Sequence, residues 1–253
     1  MLRNLFKKAE AVTPAGPMGP PGKRCYAIGD VHGCARQLEG LLTQIRDDIV
    51  RRPRKKTAIV SLGDLIDRGP DSRGVIEQFM TFAMPDISTH VIAGNHEEML
   101  ITGLTDDPSV LPNWLRHGGY AFCESYGLSA EDLMGVDGDT ARTRILGVVP
   151  EAHLDFLADT VERVRFGDYL LVHAGVNPAR PLNDQNSADL RWIRDDFLNS
   201  DKDFGAVIVH GHTVFEDVEH KHNRISLDTG AYRTGKLTAI RLEDDEQELF
   251  AAC

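Results

Sequence analysis

The chain is poor in cysteine: its 253 residues include four, Cys25, Cys34, Cys123 and Cys253. No two of them form a Cys-x-x-Cys pair. The sequence therefore offers neither a disulfide framework nor the paired thiolates of a structural zinc site. Cys34 follows a glycine-containing loop and could be a reactive thiol, but a small buried filler is the interpretation we favour. Reduced thiols in a cytoplasmic protein are expected.

Long apolar runs are also missing. No stretch approaches the roughly 18 apolar residues of a membrane-spanning helix. The first residues carry Arg3, Lys7 and Lys8 but lack the apolar core of a secretory leader. These two absences predict a soluble, intracellular protein with no membrane partner.

Positive charge is in deficit, because 28 Lys and Arg stand against 39 Asp and Glu, a formal net charge of -11. A general nucleic-acid binder needs a basic surface to replace counterions, so we expect no nucleic-acid partner. An anionic substrate would have to be attracted by local metal ions and arginines rather than by the overall field. The chain is long enough for one large domain or two small ones.

Five short apolar runs each end in a loop that carries Asp, Asn or His close to glycine. The central run, 58–62, leads into GDLIDRG at 63–69. The other loops are GDVHG at 29–33, GNHE at 94–97, HAG at 173–175 and GHT at 211–213. An apolar run that stops at glycine is typical of a buried strand. Since ligands of open α/β sheets bind beyond the carboxyl ends of strands, the loops predict one polar site at a sheet edge.

The segments between these loops predict the fold class. Apolar residues share one face of a predicted helix over 35–50, and Asp71 is a predicted cap of a second helix. Two strand–helix–strand units follow, so parallel strands are expected. The stretch 100–160 is mostly helical in pattern, and 161–249 is rich in predicted strands. We predict an α/β fold with two mixed sheets packed face to face, helices outside, and a helical cap insertion over the site.

The N-terminal residues lack any such pattern. The segment 14–22, PAGPMGPPG, is too rich in Pro and Gly for a helix and too short for a collagen-like element. We predict a disordered tail over 1–23 and one domain over 24–253. Docking of a partner to this tail is the less favoured alternative.

The loops contain six candidate metal ligands: Asp30, His32, Asp64, Asn95, His173 and His212. Carboxylate, carboxamide and imidazole groups suit Mn, Fe or Zn. Six ligands are too many for one tetrahedral zinc ion, but they suit two metal ions if one carboxylate bridges. Two ions about 3.5–4 Å apart can hold a hydroxide and a phosphoryl group in line. The neighbouring arginine, Arg68, indicates an anionic substrate.

The five motifs resemble those of the PPP-type metallophosphoesterases, which include serine/threonine protein phosphatases of bacteria and phages and the related symmetrical diadenosine tetraphosphatases. The resemblance runs from about Tyr26 to Ile240 and implies a calcineurin-like metallophosphoesterase domain. It places one metal ion on Asp30, His32 and Asp64, and a second on Asp64, Asn95, His173 and His212, with Asp64 bridging. Mn is the expected metal, with Fe or Zn as alternatives.

The same resemblance implies catalytic roles. His96 would be the general acid that protonates the leaving alkoxide, Asp67 would orient it, and Arg68 would grip the phosphate. A second phosphate arginine is expected within 189–196, where Arg194 fits the bacterial pattern better than Arg191. The implied reaction is direct attack by a metal-bound hydroxide, without a phosphoenzyme.

Three functional hypotheses follow. The leading one is a Mn-dependent phosphomonoesterase that acts on phosphoserine and phosphothreonine in proteins, with phosphotyrosine as a further candidate. The alternative is a dinucleoside polyphosphate hydrolase; Asp67 and Glu97 resemble the protein phosphatases more closely. A non-catalytic metal-binding scaffold is the distant third, disfavoured because the implied acid, its partner and the arginines are all present.

Several residues outside the five motifs have expected positions but no implied catalytic role. His210 lies outside the GHT motif, so we expect it behind the metal ligands. Asp228 is expected near the metals, and Glu97 at the N-terminus of the helix that follows GNHE. The segment from Trp114 to Gly119 either shapes a substrate cleft or forms an ordinary helix junction.

Overall fold

The structure, a computed structural model, describes residues 16–253; residues 1–15, within the predicted tail, lie outside the described residues. The rest of that tail lies against the domain. The Met18 amide donates to the Asp168 carboxylate (2.9 Å), and the Gly19 amide donates to the Asp244 carbonyl (2.6 Å). The segment just before the first strand is therefore hydrogen-bonded to two turns of the fold.

The described residues form ten strands. They are β1 (Lys23–Ile28), β2 (Lys56–Ser61), β3 (Ile87–Val91), β4 (Val164–Phe166), β5 (Tyr169–Leu171), β6 (Val207–His210), β7 (Glu219–His220), β8 (Arg224–Ser226), β9 (Leu237–Glu243) and β10 (Glu246–Ala252). The sequence pattern did not predict β7 and β10, and β4, the first strand of the predicted strand-rich stretch 161–249, begins at Val164. β10 alternates poorly because most of its residues are exposed at a sheet edge.

Two five-stranded sheets result, with the orders β10-β9-β1-β2-β3 and β4-β5-β6-β8-β7. In the first sheet β1, β2 and β3 are parallel, and β9 and β10 run antiparallel to their neighbours. In the second, β5, β6 and β8 are parallel, with β4 and β7 antiparallel. Both sheets are mixed, as predicted. Because parallel strands end on one edge, the loops after β1, β2 and β3 emerge together.

The helices are α1 (Ala35–Arg51), α2 (Ser72–Thr81), α3 (Asn95–Thr105), α4 (Leu111–Trp114), α5 (Tyr120–Ser125), α6 (Ala130–Leu133), α7 (Gly138–Leu146), α8 (Glu151–Ala158), α9 (Ser187–Trp192), α10 (Asp195–Leu198) and α11 (Ala231–Thr234). Short 3-10 turns cover Pro108–Val110 and Leu182–Asp184, and a π-helical turn covers Leu115–Gly119. The helices from α3 to α8 lie between β3 and β4 and form the predicted helical insertion. Among residues 16–253, no helix is both long and apolar enough to cross a membrane.

The core has three apolar layers. One lies between the sheets and includes Ala27, Val60, Leu171, Val209 and Ile240. A second packs the helices, including the insertion, onto the first sheet, and a third lies under α9 and α10. The fold class predicted from the sequence, two mixed sheets flanked by helices, is confirmed. Cys34 is buried, and burial raises the pKa of its thiol to about 11, which makes it a poor nucleophile at neutral pH.

Candidate active site

The five motif loops meet where the parallel strands of both sheets end. Asp64 Oδ2 lies 3.5 Å from His32 Nε2 and 3.5 Å from His173 Nε2. His173 Nε2 in turn lies 3.2 Å from His212 Nδ1. Loops from both sheets therefore contribute to one buried cluster, as the sequence predicted.

The backbone of these loops adopts an unusual conformation. Within residues 16–253, seven non-glycine residues have a positive φ, and five of them belong to the motif loops: His32 (44°), Asp64 (49°), Asp67 (73°), Arg68 (66°) and His212 (65°). Side chains with a Cβ adopt this left-handed region at an energetic cost, and such residues concentrate at functional sites. The surrounding fold imposes a backbone that the sequence alone would avoid.

The first half of the cluster is organised around His32. The Nδ1–H of His32 donates to the Ile66 carbonyl (2.8 Å), which fixes the ring tautomer and leaves the Nε2 lone pair facing Asp64. The Arg68 guanidinium lies 2.7 Å from the same Nε2. Burial lowers the pKa of His32 well below its usual value, so the ring is neutral. The Nε2 lone pair is the atom with which His32 could ligate a metal ion, and in this structure it accepts from the Arg68 guanidinium.

The second half repeats this arrangement around His173. Its Nδ1–H donates to the Leu62 carbonyl (2.8 Å), so Nε2 carries a lone pair. That lone pair faces Asn95 Oδ1 at 3.0 Å and His212 Nδ1 at 3.2 Å. Burial lowers the pKa of His173 to about 4. The His173 Nε2 lone pair, the Asn95 Oδ1 and the His212 ring thus converge as possible ligands of a cation.

Asp30 completes the cluster from the loop after β1. Its Oδ2 accepts the His212 amide (2.9 Å), whereas its buried Oδ1 has no hydrogen-bond donor among the described residues. Gly211 permits this contact, because a Cβ there would lie 1.9 Å from Asp30 Oδ1. Burial and the nearby Asp228 and Asp64 raise the pKa of the Asp30 carboxyl well above its usual range.

These features fit divalent metal ions. In each of two groups the possible ligand atoms lie within 4.8 Å of one another: His32, Asp64 and His96 in the first, and Asp64, His173 and His212 in the second. The first group contains His96 where the sequence predicted Asp30. A cation would satisfy the buried acceptor atoms that have no donor and would reduce the repulsion between the carboxylates. The backbone carbonyls that hold the Nδ1–H groups of His32 and His173 leave Nε2 of each ring able to bind it. Asp64 belongs to both groups.

Beside this cluster His96 forms a close pair with Asp67. His96 Nδ1 lies 2.6 Å from Asp67 Oδ2, and the Trp114 indole N–H donates to the same oxygen (2.7 Å). Burial raises the pKa of the Asp67 carboxyl, while the Trp114 hydrogen bond and the Arg68 charge oppose this rise. The Asp67 amide donates to Ser72 Oγ (3.0 Å), which holds the loop in place. A carboxylate–imidazole pair of this kind is a common arrangement for proton transfer.

The two candidate arginines of segment 189–196 differ in their surroundings. Arg191 pairs with Glu98 (2.7 Å) and also with Glu162. Arg194 reaches the His212 carbonyl (3.4 Å) and Thr213 Oγ1 (3.3 Å), and the described residues give it no ion pair with an acid. The Arg194 charge is thus available beside the metal-ligand cluster, whereas that of Arg191 is neutralised.

A cavity of 590 Å³ opens beside the cluster. It is lined by Arg68, Asn95, His96, Glu98, Met99, Thr102, Ser109, Val110, Asn113, His117, Trp192 and Arg194. Both lining arginines lie near the metal-ligand cluster, while Met99, Val110 and Trp192 form an apolar part. The insertion and α9 therefore build the walls of a substrate-sized cleft.

Residues behind the cluster hold it in place. The Glu97 carboxylate accepts the amides of Asp64 (2.9 Å), Leu65 (2.8 Å) and Gly94 (3.1 Å), so it joins two motif loops as well as supporting its helix. His210 turns its ring toward Phe197, and burial lowers its pKa to about 3. Its Nδ1 lies 3.0 Å from the Gly211 carbonyl, away from the Asp64 carboxylate.

The sequence interpretation missed two aromatic contacts. The Trp114 hydrogen bond to Asp67 has no local motif, because the two residues lie 47 positions apart. The Tyr232 ring lies under the Arg68 guanidinium, 5.0 Å from its central carbon, and edge-on to His32. The one feature of the sequence that could have indicated a role for Tyr232 is its position four residues after Asp228, which was expected near the metals.

Comparison with known proteins agrees with this geometry. Residues 23–240 match the calcineurin-like phosphoesterase family. The chain is 29% identical to serine/threonine-protein phosphatase 1 of Salmonella typhimurium over 230 residues, 87% of this chain and 93% of that protein. It is 25% identical to the symmetrical bis(5'-nucleosyl)-tetraphosphatase of Legionella pneumophila over 275 residues, 88% of this chain and 95% of that protein.

Solved structures show the same fold. A structure described as a diadenosine tetraphosphatase superposes with a TM-score of 0.63 at 19% identity, covering 94% of this chain and 97% of the other. A cold-active protein tyrosine phosphatase superposes with a TM-score of 0.54, also at 19% identity, covering 92% and 81%. The family match over residues 23–240 shows that the chain belongs to the calcineurin-like phosphoesterase family, hydrolases that use a dinuclear centre of divalent metal ions.

Proposed function

We propose that this protein is a phosphomonoesterase that hydrolyses phosphoserine and phosphothreonine in proteins. The observation that supports this most directly is the buried His96–Asp67 pair beside the metal-ligand cluster, with 2.6 Å between Nδ1 and Oδ2. A serine or threonine alkoxide is a poor leaving group and needs a proton as the P–O bond breaks. Asp67 holds the His96 Nδ1–H, so that Nε2 can carry and deliver that proton.

We assign the metal ligands as the sequence predicted. Asp30, His32 and Asp64 would hold one ion, and Asp64, Asn95, His173 and His212 the other. The position of Asp64 Oδ2, 3.5 Å from both His32 Nε2 and His173 Nε2, supports a bridging role. When bound, two divalent ions, Mn in our proposal or else Fe or Zn, supply a water-derived nucleophile at neutral pH and offset phosphoryl charge.

Arg68 and Arg194 bind the phosphoryl group in this proposal. Both line the cavity next to His96, and guanidinium groups match phosphate oxygens with paired hydrogen bonds. Tyr232 supports the Arg68 side chain from below. Arg191 is the weaker candidate for this role because it is held by two acids.

Hydrolysis of a dinucleoside polyphosphate is the second candidate. Trp192, at the cavity wall, is 43% exposed, and an exposed indole can stack on a nucleobase. The relative from Legionella pneumophila is named as a hydrolase of this kind, a symmetrical bis(5'-nucleosyl)-tetraphosphatase. We rank it second because a departing nucleotide phosphate needs little protonation, so it makes less use of the His96–Asp67 pair.

The test is steady-state hydrolysis by protein stripped of metal and reloaded with Mn. A phosphoserine peptide and diadenosine tetraphosphate are compared as substrates, with His96→Asn as the control variant. We expect faster turnover of the peptide and its loss in the variant. Preference for the dinucleotide would show that the substrates are dinucleoside polyphosphates rather than phosphoproteins. Two bound metal ions without turnover of either substrate would support a non-catalytic, metal-binding scaffold.

A further inference from the structure

Trp114 connects the helical insertion to the proposed catalytic pair. It ends α4, and its side chain is fully buried (0% exposed). The indole N–H can only donate, and it donates to Asp67 Oδ2 at 2.7 Å. That oxygen is also the one that lies 2.6 Å from His96 Nδ1. One carboxylate oxygen is thus shared by the insertion and by the proposed general acid.

The other Asp67 oxygen shows how the carboxylate is oriented. Oδ1 is buried and has no hydrogen-bond partner among the described residues. The two oxygens of a carboxylate are chemically equivalent, so what the indole can fix is the angle of the carboxylate plane. The Trp114 N–H holds the plane at the angle that directs one oxygen at His96 Nδ1, and it adds a charge-assisted hydrogen bond at a buried carboxylate.

The π-helical turn after Trp114 docks on the same loop. The Arg68 amide donates to the Gly118 carbonyl (3.1 Å). Gly118 has a φ of 127°, and a Cβ there would lie 2.7 Å from Arg68 Cγ, so glycine is required for this approach. The insertion therefore contacts both residues of the Asp67-Arg68 pair, one through a side chain and the other through the backbone.

We propose that Trp114 is a positioning residue: the helical insertion uses its indole N–H to orient Asp67, and through Asp67 the proton that His96 delivers to the leaving group. The inference rests on the proposed role of His96 as general acid. It assigns the insertion a part in the reaction in addition to forming the wall of the cleft.

Trp114→Phe tests the inference, because it removes the N–H and keeps an aromatic ring in the core. Phenyl phosphate and p-nitrophenyl phosphate are compared, since they are similar in shape and differ in how much the leaving oxygen needs a proton. We expect kcat to fall about 10-fold to 100-fold for phenyl phosphate, the range for a lost hydrogen bond to a charged group, and much less for p-nitrophenyl phosphate.

Phe122→Leu is the matched control. The Phe122 ring packs on Trp114 with 5.6 Å between ring centroids, so this variant disturbs the same packing but leaves the N–H in place. We expect it to change both substrates equally. If Trp114→Phe also slows both equally, or slows neither, the positioning role is overturned.

His96→Asn separates this inference from the proposed function. If His96→Asn slows phenyl phosphate selectively and Trp114→Phe does not, only the role of Trp114 fails. If His96→Asn shows no selectivity for the leaving group, His96 is not the acid, and both proposals fail together.

An NMR measurement covers the case in which Trp114→Phe does not fold. The chain has two tryptophans, so Trp192→Phe leaves one indole signal in ¹⁵N-labelled protein. We expect that signal to exchange slowly with solvent and to shift on Asp67→Asn. A rapidly exchanging indole N–H that is unaffected by Asp67→Asn would overturn the inference.

Discussion

The two ends of β1 bury charged side chains in opposite ways. Near its start, Arg24 is 1% exposed and pairs with Glu243 at 2.6 Å. Just after its end, Asp30 is 2% exposed and faces other carboxylates. The Arg24 interactions lower the pKa of Glu243 to about 2, helped by Lys55, whereas burial and two neighbouring acids raise that of Asp30.

The difference shows how one strand can serve both stability and function. Where acid and base are paired, removing one partner leaves the other buried without compensation, and the pair has little capacity left for a ligand. Where acids and neutral histidines are gathered and the acids form no ion pair with an arginine or lysine among the described residues, the folded chain bears a cost that a bound cation relieves. Substitutions at the two ends should therefore have opposite consequences.

The largest expected effect is at the metal-ligand end. Asp64→Asn removes the charge shared by both ligand groups, so we expect loss of at least one metal ion and a fall in kcat of about three orders of magnitude or more. Metal content by elemental analysis and kcat on a phosphopeptide are the measurements. Glu243→Gln, the equivalent change at the other end, should keep both metals. An Asp64→Asn protein that retains both metals and full kcat contradicts the assignment.

At the paired end, Glu243→Gln should destabilise the protein by about 3 kcal/mol at pH 7. The pKa of Glu243 is depressed from 4.5 to about 2, and each pKa unit corresponds to about 1.36 kcal/mol. Because the folded pKa is the lower one, this stability is present above pH 4.5 and is lost as the pH falls toward 2. Urea unfolding of the wild type and the variant at pH 7 and pH 3 measures the difference between their free energies of unfolding. We expect this difference to be smaller at pH 3; an equal difference at both pH values would contradict the Arg24–Glu243 ion pair as its cause.

Arg191 and Arg194, near the cleft, offer the same comparison for bases, since among the described residues Arg191 is paired with acids and Arg194 is not. Arg194→Gln should lower kcat/KM about 100-fold, the scale for one lost donor to a developing anion, with little change in Tm. Arg191→Gln should cost about 1 kcal/mol of stability, since its acid partners are partly exposed, and should affect kcat/KM far less. Steady-state kinetics and thermal melts of the two variants measure these effects. A larger fall in kcat/KM for Arg191→Gln than for Arg194→Gln would assign the phosphate-binding role to Arg191 instead.

The smallest expected effect concerns metal-free protein. Asp30→Asn keeps an acceptor for the His212 amide but removes one of the repelling charges. We expect the metal-free variant to be more stable by about 1 kcal/mol, or about 2–4 °C in Tm. Added Mn should then stabilise the wild type more than the variant. A lower Tm for the metal-free variant would show that the Asp30 charge is already compensated.

Much of the fold and the cluster could be predicted from the sequence because the informative residues are local. Each motif follows its own apolar run, so the loop at 29–33 and the loop at 211–213 could be placed at strand ends before their contact was known. Parallel strands then bring such loops to one edge whatever lies between them. The approach of Asp30 to the His212 amide also requires the two sheets to pack with these edges together, because β1 and β6 belong to different sheets.

Contacts between distant segments could not be predicted. Nothing near Trp114 indicates that its indole N–H meets Asp67, since that contact depends on how the insertion docks. β10 escaped prediction because an edge strand with exposed residues such as Glu246 and Glu248 lacks the apolar alternation of a buried one. Arg194 was chosen over Arg191 by resemblance alone; the ion pairs of Arg191 give that choice a physical reason.

The positive φ angles of the motif loops have a consequence for mutational scanning. At His32, Asp64, Asp67, Arg68 and His212 we propose a metal-binding or catalytic role for the side chain, while the backbone favours glycine. Glycine there relieves backbone strain and removes a buried polar group, so it should be tolerated in a selection for folded protein. In a selection for turnover the same glycine should rank among the worst residues. The positions at which glycine ranks high in the selection for folded protein and low in the selection for turnover would thus identify the proposed catalytic loops without a structure.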